Sequence, residues 1–161
     1  MKSKWCLFMG ILACVFSLFG CSHKSVRPEG ELTSISISQS HMDRTYCYSF
    51  CAREENNAYL LDADCMIVDY DNDEYTEINF SETAISEEDF QQFAELDKKY
   101  DFFSLLKPNE KKKSIFFALD ETITSFSVKY GDESLSLNTS GDCYTEARKY
   151  FFALAEKYNK Q

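Results

Sequence analysis

The chain is expected to fold as an α+β domain: an antiparallel sheet of about six to seven strands with two helices packed on one face. Three observations predict it. Short segments alternate apolar and polar residues and are joined by compact turns, the pattern of hairpins rather than of parallel crossovers. Two longer stretches repeat apolar residues at three- and four-residue spacing, which is helical. The order is four strands, a helix, three strands and a helix, so both helices must find their apolar partner in the same sheet.

The strands read as follows. Ile35 and Ile37 alternate with Ser34, Ser36 and Ser38. Tyr46, Tyr48 and Phe50 alternate with Cys47, Ser49 and Cys51. Glu54-Glu55-Asn56-Asn57 supplies a turn, because Asn tolerates tight backbone geometry. Ala58 to Asp69 is a longer strand with Leu61, Ala63, Cys65 and Ile67 on one face. Asp71-Asn72-Asp73-Glu74 turns the chain, and Tyr75 to Phe80 returns as a fourth strand.

The first helix opens at Ser86, an N-cap followed by Glu87, Glu88 and Asp89, where the helix dipole favours acids. Phe90, Phe93, Leu96, Tyr100 and Phe103 fall on roughly one face, and Pro108 marks the outer limit. Ile115 to Leu119, Thr122 to Tyr130 and Ser134 to Thr139 read as three more strands, with a hairpin turn at Tyr130-Gly131-Asp132-Glu133. The last helix starts near Asp142 or Thr145. Ala147, Tyr150, Phe151, Leu154, Ala155 and Tyr158 form its apolar stripe.

Residues 1–20 form a separate object. Lys2 and Lys4 precede Trp5 to Phe19, an uncharged apolar run of 15 residues. That length suits the core of a signal peptide and is short for a spanning helix. The run ends Leu18-Phe19-Gly20-Cys21. This resembles the lipobox of bacterial lipoprotein signal peptides, with Leu18, Gly20 and Cys21 matching and Phe19 standing where a smaller residue is usual. The resemblance implies that Cys21 receives a thioether-linked diacylglycerol and becomes the new N-terminus on cleavage, with a further amide-linked acyl chain such as palmitate in some organisms. Two or three chains anchor a protein where one binds only marginally.

The resemblance also implies an extracytoplasmic protein held at the cell membrane or the outer membrane; Ser22 in place of Asp after the Cys leans toward the outer membrane in a two-membrane host. Residues 21–31 then comprise the lipidated Cys and a flexible tether. Its polar stretch, Ser22 to Glu31, contains Pro28 and Gly30 and reaches at most about 35 Å. Residues 32–161 form one domain.

Composition excludes several functions. The 161 residues carry 17 Lys+Arg against 27 Asp+Glu, a net charge of −10, which is poor for gripping phosphates, so no nucleic-acid partner is expected. Loss of Lys2 and Lys4 with the leader takes that charge to −12. Five Gly and two His argue against a phosphate cradle, a metal centre or a His-based triad. No cofactor and no catalytic residue is expected.

Candidate sites are few. A hairpin centred on Asn56 sets Cys47 opposite Cys65 and makes a cross-strand disulfide possible; Cys51 with Cys143 is a second pairing, and four buried thiols are the alternative. Asp69, Asp71 and Asp73 imitate the start of a calcium loop. Glu74 and Phe80 then stand where the loop needs Gly and Glu, so weak calcium binding is set against a solvated turn. Lys107 to Lys113 is the one basic run, a candidate contact for anionic lipid or cell-wall polymer. If the helices cover the small face of Cys47, Ser49 and Cys51, the aromatic face of Tyr46, Tyr48 and Phe50 is left for a partner; the alternative is that the aromatics form a second layer of core. The expected function is a membrane-anchored binding or interaction domain, not an enzyme, whose partner is an unidentified protein or envelope polymer. The alternative is a cell-envelope hydrolase using a carboxylate pair.

Overall fold

Alternating side chains build one six-stranded sheet. A computed structural model of the chain describes residues 28, 30–41, 46–69, 74–107 and 122–160. The strands are β1 (Leu32–Ser40), β2 (Tyr46–Glu55), β3 (Ala58–Asp69), β4 (Glu74–Ala84), β5 (Ile123–Tyr130) and β6 (Glu133–Ser136). Their spatial order is β4-β3-β2-β1-β5-β6, and every pairing is antiparallel. Two helices, α1 (Glu87–Tyr100) and α2 (Asp142–Asn159), complete the α+β architecture. The expected strand Ile115 to Leu119 lies outside the described residues.

The β2–β3 turn fixes the register. Asn56 and Asn57 both adopt left-handed backbone, with φ of 51° and 61°. Such a two-residue turn matches the twist of the strands it joins. Glu55 therefore pairs with Ala58, Cys47 with Met66 and Tyr48 with Cys65. The expected register, centred on Asn56 itself, is off by one residue, and in a strand one residue exchanges the two faces. Cys47 and Cys65 thus point to opposite sides of the sheet. Neither possible disulfide, Cys47–Cys65 or Cys51–Cys143, forms: these four thiols are free, the alternative, and of them Cys65 and Cys143 are buried.

The helices cover the aromatic face, not the small one. Tyr48 and Phe50 are buried, and both rings meet Phe152 of α2, with centroids 5.4 and 4.9 Å away. Phe50 also stacks on Phe151, which meets Phe93 of α1 at 4.6 Å. Phe126 of β5 lies edge-on to Phe102 and Tyr144. Of the two readings of the aromatic face, partner surface or second layer of core, the core is the one the structure shows. The solvent side of β2 carries Cys47, Ser49, Cys51 and Arg53.

Helix α1 begins as its sequence dictates. The Ser86 hydroxyl accepts from the Asp89 N–H at 3.1 Å. The helix stops at Tyr100, short of the expected Phe103. Asp101 caps it in left-handed backbone, and its N–H donates to the Asp97 carbonyl at 2.7 Å. The buried Asp97 carboxylate accepts from the Phe102 N–H at 3.0 Å and from the Tyr130 hydroxyl at 2.7 Å. An acid thus joins Phe90 and Phe93 on the buried face of the helix. It satisfies backbone that the ending helix would otherwise strand in the core. In α2, Ala147, Phe151, Leu154 and Ala155 are buried as their spacing predicts.

Candidate functional site

The sheet has a second face, and no described element covers it. Its rows follow from register. Ser125, Ser38, Ser49, Asp64 and Asn79 stand side by side across five strands. The neighbouring row runs Ser136, Ser127, Ser36, Cys51 and Asp62. Strands lie about 4.8 Å apart, so each row is a close ladder of short polar side chains. Ser36 and Ser127 share a hydrogen bond of 2.8 Å, as do Ser38 and Ser125. Ser34 and the Cys51 thiol meet at 3.7 Å.

One corner of this face is pinned by charge. Across from Asp62, β4 places two residues, Ser81 and Glu82, so the strand bulges there. Glu82 has φ 54°, and its N–H donates to Asp62 Oδ1 at 2.7 Å. Arg53 donates to the other oxygen of Asp62 and, at 3.1 Å, to Glu55. The carboxylate thus holds the bulge by its backbone and the neighbouring strand by its guanidinium.

At the opposite end of the face lies a cleft of about 590 Å³. Ser38, Ser40 and Ser49 give it hydroxyls, and Asp64 and Glu77 give it carboxylates. His41, Cys47 and Met66 also line it. Glu77 pairs with Met66 and Asp64 with Asn79, so the two acids are diagonal neighbours on adjacent strands. The Cys47 thiol points at the His41 carbonyl, 3.8 Å away.

Two further hollows lie elsewhere on the domain. The groove between α1 and α2, lined by Leu96, Tyr150 and Ala153, is crossed at its rim by Lys99, whose Nζ donates to Glu146 at 2.8 Å. The hollow beside Asp97 and Tyr130 is about 280 Å³, and both Asp97 oxygens are already used.

The sequence-derived candidates separate widely. Cys47 lies at the cleft, which His41 also lines. Cys65 is buried in the core below the sheet, and Cys143 is buried in α2. Burial, with the Asp64 charge, pushes the Cys65 thiol up to about 11; burial, with Glu146 and Asp97, pushes Cys143 up to about 12. Neither is a thiolate near neutral pH, and thiolate is the reactive form. Maleimide should therefore label the half-buried Cys47 and Cys51 of the folded chain well before Cys65 and Cys143, read by peptide mass mapping. Equal labelling of Cys65 and Cys47, or a bridged Cys47–Cys65 peptide, would contradict the register.

Cys21, Asp71 and Asp73 lie outside the described residues, as does the basic run beyond Lys107; of Asp69 only the backbone in β3 is described. Among the described residues no cluster of three His, Cys, Asp or Glu is placed to hold a metal, and no helix is long and apolar enough to cross a membrane. Asp64 and Glu77 went unnoticed in the sequence. The available signal was parity: each sits at the polar positions of a strand whose apolar positions are core. No family model, no curated protein and no solved structure matches this chain.

Proposed function

We propose that the chain is a bacterial lipoprotein, anchored through diacylglycerol on Cys21, whose domain binds an envelope protein or polymer without catalysis. The anchor reading rests on the leader, Lys2 to Cys21, and places the domain on the extracytoplasmic side of the cell membrane or outer membrane. The binding reading rests on one observation: a face of the sheet is left open by every described element and is built from short polar side chains. A core-forming face would carry large apolar groups, and this one carries serines, Asp62 and Asp64 instead.

A second reading, hydrolysis by a carboxylate pair, draws on Asp64 and Glu77 sharing one cleft.

Fatty-acid labelling tests the anchor. Label is expected in the native protein and absent in Cys21→Ala; equal incorporation in both refutes it. A photoreactive residue tests the surface. Placed at Ser49 of the anchored protein it should give a discrete adduct that Ser38→Arg abolishes, while the same group at Glu156 on α2 gives none. Adducts from both positions, or from neither, refute the open face as the binding surface.

A further inference from the structure

The chain enters the domain at one end of the sheet. Gly30 and Glu31 line a hollow with Gln91, Ala94 and Lys98 of α1, and Leu32 opens β1 opposite Tyr130, the last residue of β5. Because every pairing is antiparallel, the same end carries the Asn56-Asn57 turn, the Gly131-Asp132 turn and the close of β4 at Ala84. The cleft is at the other end: Ser40, which lines it, pairs with Ile123, the first residue of β5. The 9 residues of β1 run about 27 Å from one end to the other, at about 3.3 Å per step.

Chain length limits how this body sits above a membrane. The stretch from Ser22 to Arg27 joins Cys21 to Pro28 and reaches at most about 25 Å, less than the length of β1. With lipid on Cys21, the entry end stays close to the headgroups. The cleft end meets them only if the whole domain lies down along the bilayer.

Charge opposes lying down. Without the leader the chain carries −12, and lying flat would bring most of that against the lipid. Standing on end brings down only the entry end, where Glu31, Glu54, Glu55, Glu87, Asp132 and Glu133 are exposed. Arg53 and Lys98, two of the cations nearby, are already held by Asp62 and Glu95. An anionic bilayer repels these acids within a Debye length, about 8–10 Å at ordinary salt, while it attracts Lys24 and Arg27 of the joining stretch.

We propose that the domain stands on end above its membrane. The end with the Asn56-Asn57 and Gly131-Asp132 turns faces the bilayer, and the cleft end of the open face is presented away from it. This rests on the anchor at Cys21 and adds an orientation to the binding reading. The partner of the open face then arrives from the space or layer that faces the membrane, and lipid of the anchoring membrane is not that partner.

Fluorescence quenching in vesicles tests it. The lipidated full chain is placed in vesicles of phosphatidylcholine and phosphatidylglycerol that carry a nitroxide on some headgroups. A fluorescent amino acid stands at Ala58, beside the first turn, or at Ile123, both of them exposed positions at opposite ends of the sheet. Asp132 and Ser40 serve as a second pair at the same two ends. Quenching is expected to be severalfold stronger at Ala58 than at Ile123, and at Asp132 than at Ser40. Equal quenching at the two ends, or stronger quenching at the cleft end, overturns the proposal. Flotation separates this from the anchor itself: the native chain should float with the vesicles and Cys21→Ala should not. A native chain that does not float removes the anchor and the orientation together, whereas a floating chain quenched equally at both ends removes the orientation alone.

Discussion

Phe151→Ala is expected to leave the domain at the edge of folding. Phe151 is fully buried and is the ring through which α2 meets both the sheet and α1. Removing a buried aromatic ring costs about 3–5 kcal/mol, from lost transfer energy and from the cavity left behind. A domain of this size has about 5–15 kcal/mol in all. The neighbouring Phe152 is only partly buried and packs against Tyr48 and Phe50 from the margin. Phe152→Ala should therefore cost clearly less, because surrounding side chains and water can fill its place. Urea unfolding of the two variants decides the matter. A Phe152→Ala loss equal to or above that of Phe151→Ala would mean that the core is centred elsewhere.

The same two rings explain what could be read in the chain and what could not. The spacing of Ala147, Phe151, Leu154 and Ala155 defines a helix stripe directly, and all four are buried. Alternation in β2 likewise defines two faces, but it does not say which is inside when one is aromatic and the other small and uncharged. Arg53 resolves it. It shares the parity of Cys47, Ser49 and Cys51, and a guanidinium that keeps its charge must reach water or acids. Asp62 and Asp64 make the same argument from β3. They join that face only once the register is correct, and the register turned on whether Asn56 alone or Asn56 and Asn57 together form the turn. A one-residue difference, set by two left-handed residues, decided the fate of the Cys47–Cys65 pair and hid the cleft. Asp97 escaped notice for another reason. Its partners, Phe102 N–H and the Tyr130 hydroxyl, are brought to it by the end of its own helix and by a distant strand. No local pattern carries that meeting.

Asp89 is expected to give the domain a stability that depends on its ionisation. It sits in the first turn of α1 and ties that end to the last turns of α2. Its carboxylate accepts from Lys157 Nζ at 2.7 Å, from the Tyr158 hydroxyl at 2.5 Å and from Ser86 Oγ at 2.8 Å. Its carbonyl accepts from the Tyr150 hydroxyl at 2.8 Å. Burial alone would push the carboxyl up, but the hydrogen bonds from Lys157, Tyr158 and Ser86, with the Lys157 charge, outweigh it. They hold Asp89 below the usual carboxylate value of 3.8. The helix dipole at this end favours the same charge. A carboxyl whose folded pKa is depressed contributes stability above the unfolded pKa and loses it as pH falls through the folded one. Asp89→Asn should therefore cost about 2 kcal/mol at pH 7, the scale of hydrogen bonds to a charged group. That difference from the native protein should shrink steadily below about pH 4, as the unfolded chain's carboxyl takes up its proton first and the folded one follows at lower pH. Lys157 is more than half exposed, so solvent screens its share and the part-buried Tyr158 hydroxyl carries more of the effect. Tyr158→Phe should accordingly reproduce a larger part of the loss than Lys157→Met. Urea unfolding of the native and variant chains at pH 7, 5, 4 and 3 reads these differences. A cost of Asp89→Asn that stays constant across that range would show that the link between the helices is one of packing, with the charge a bystander.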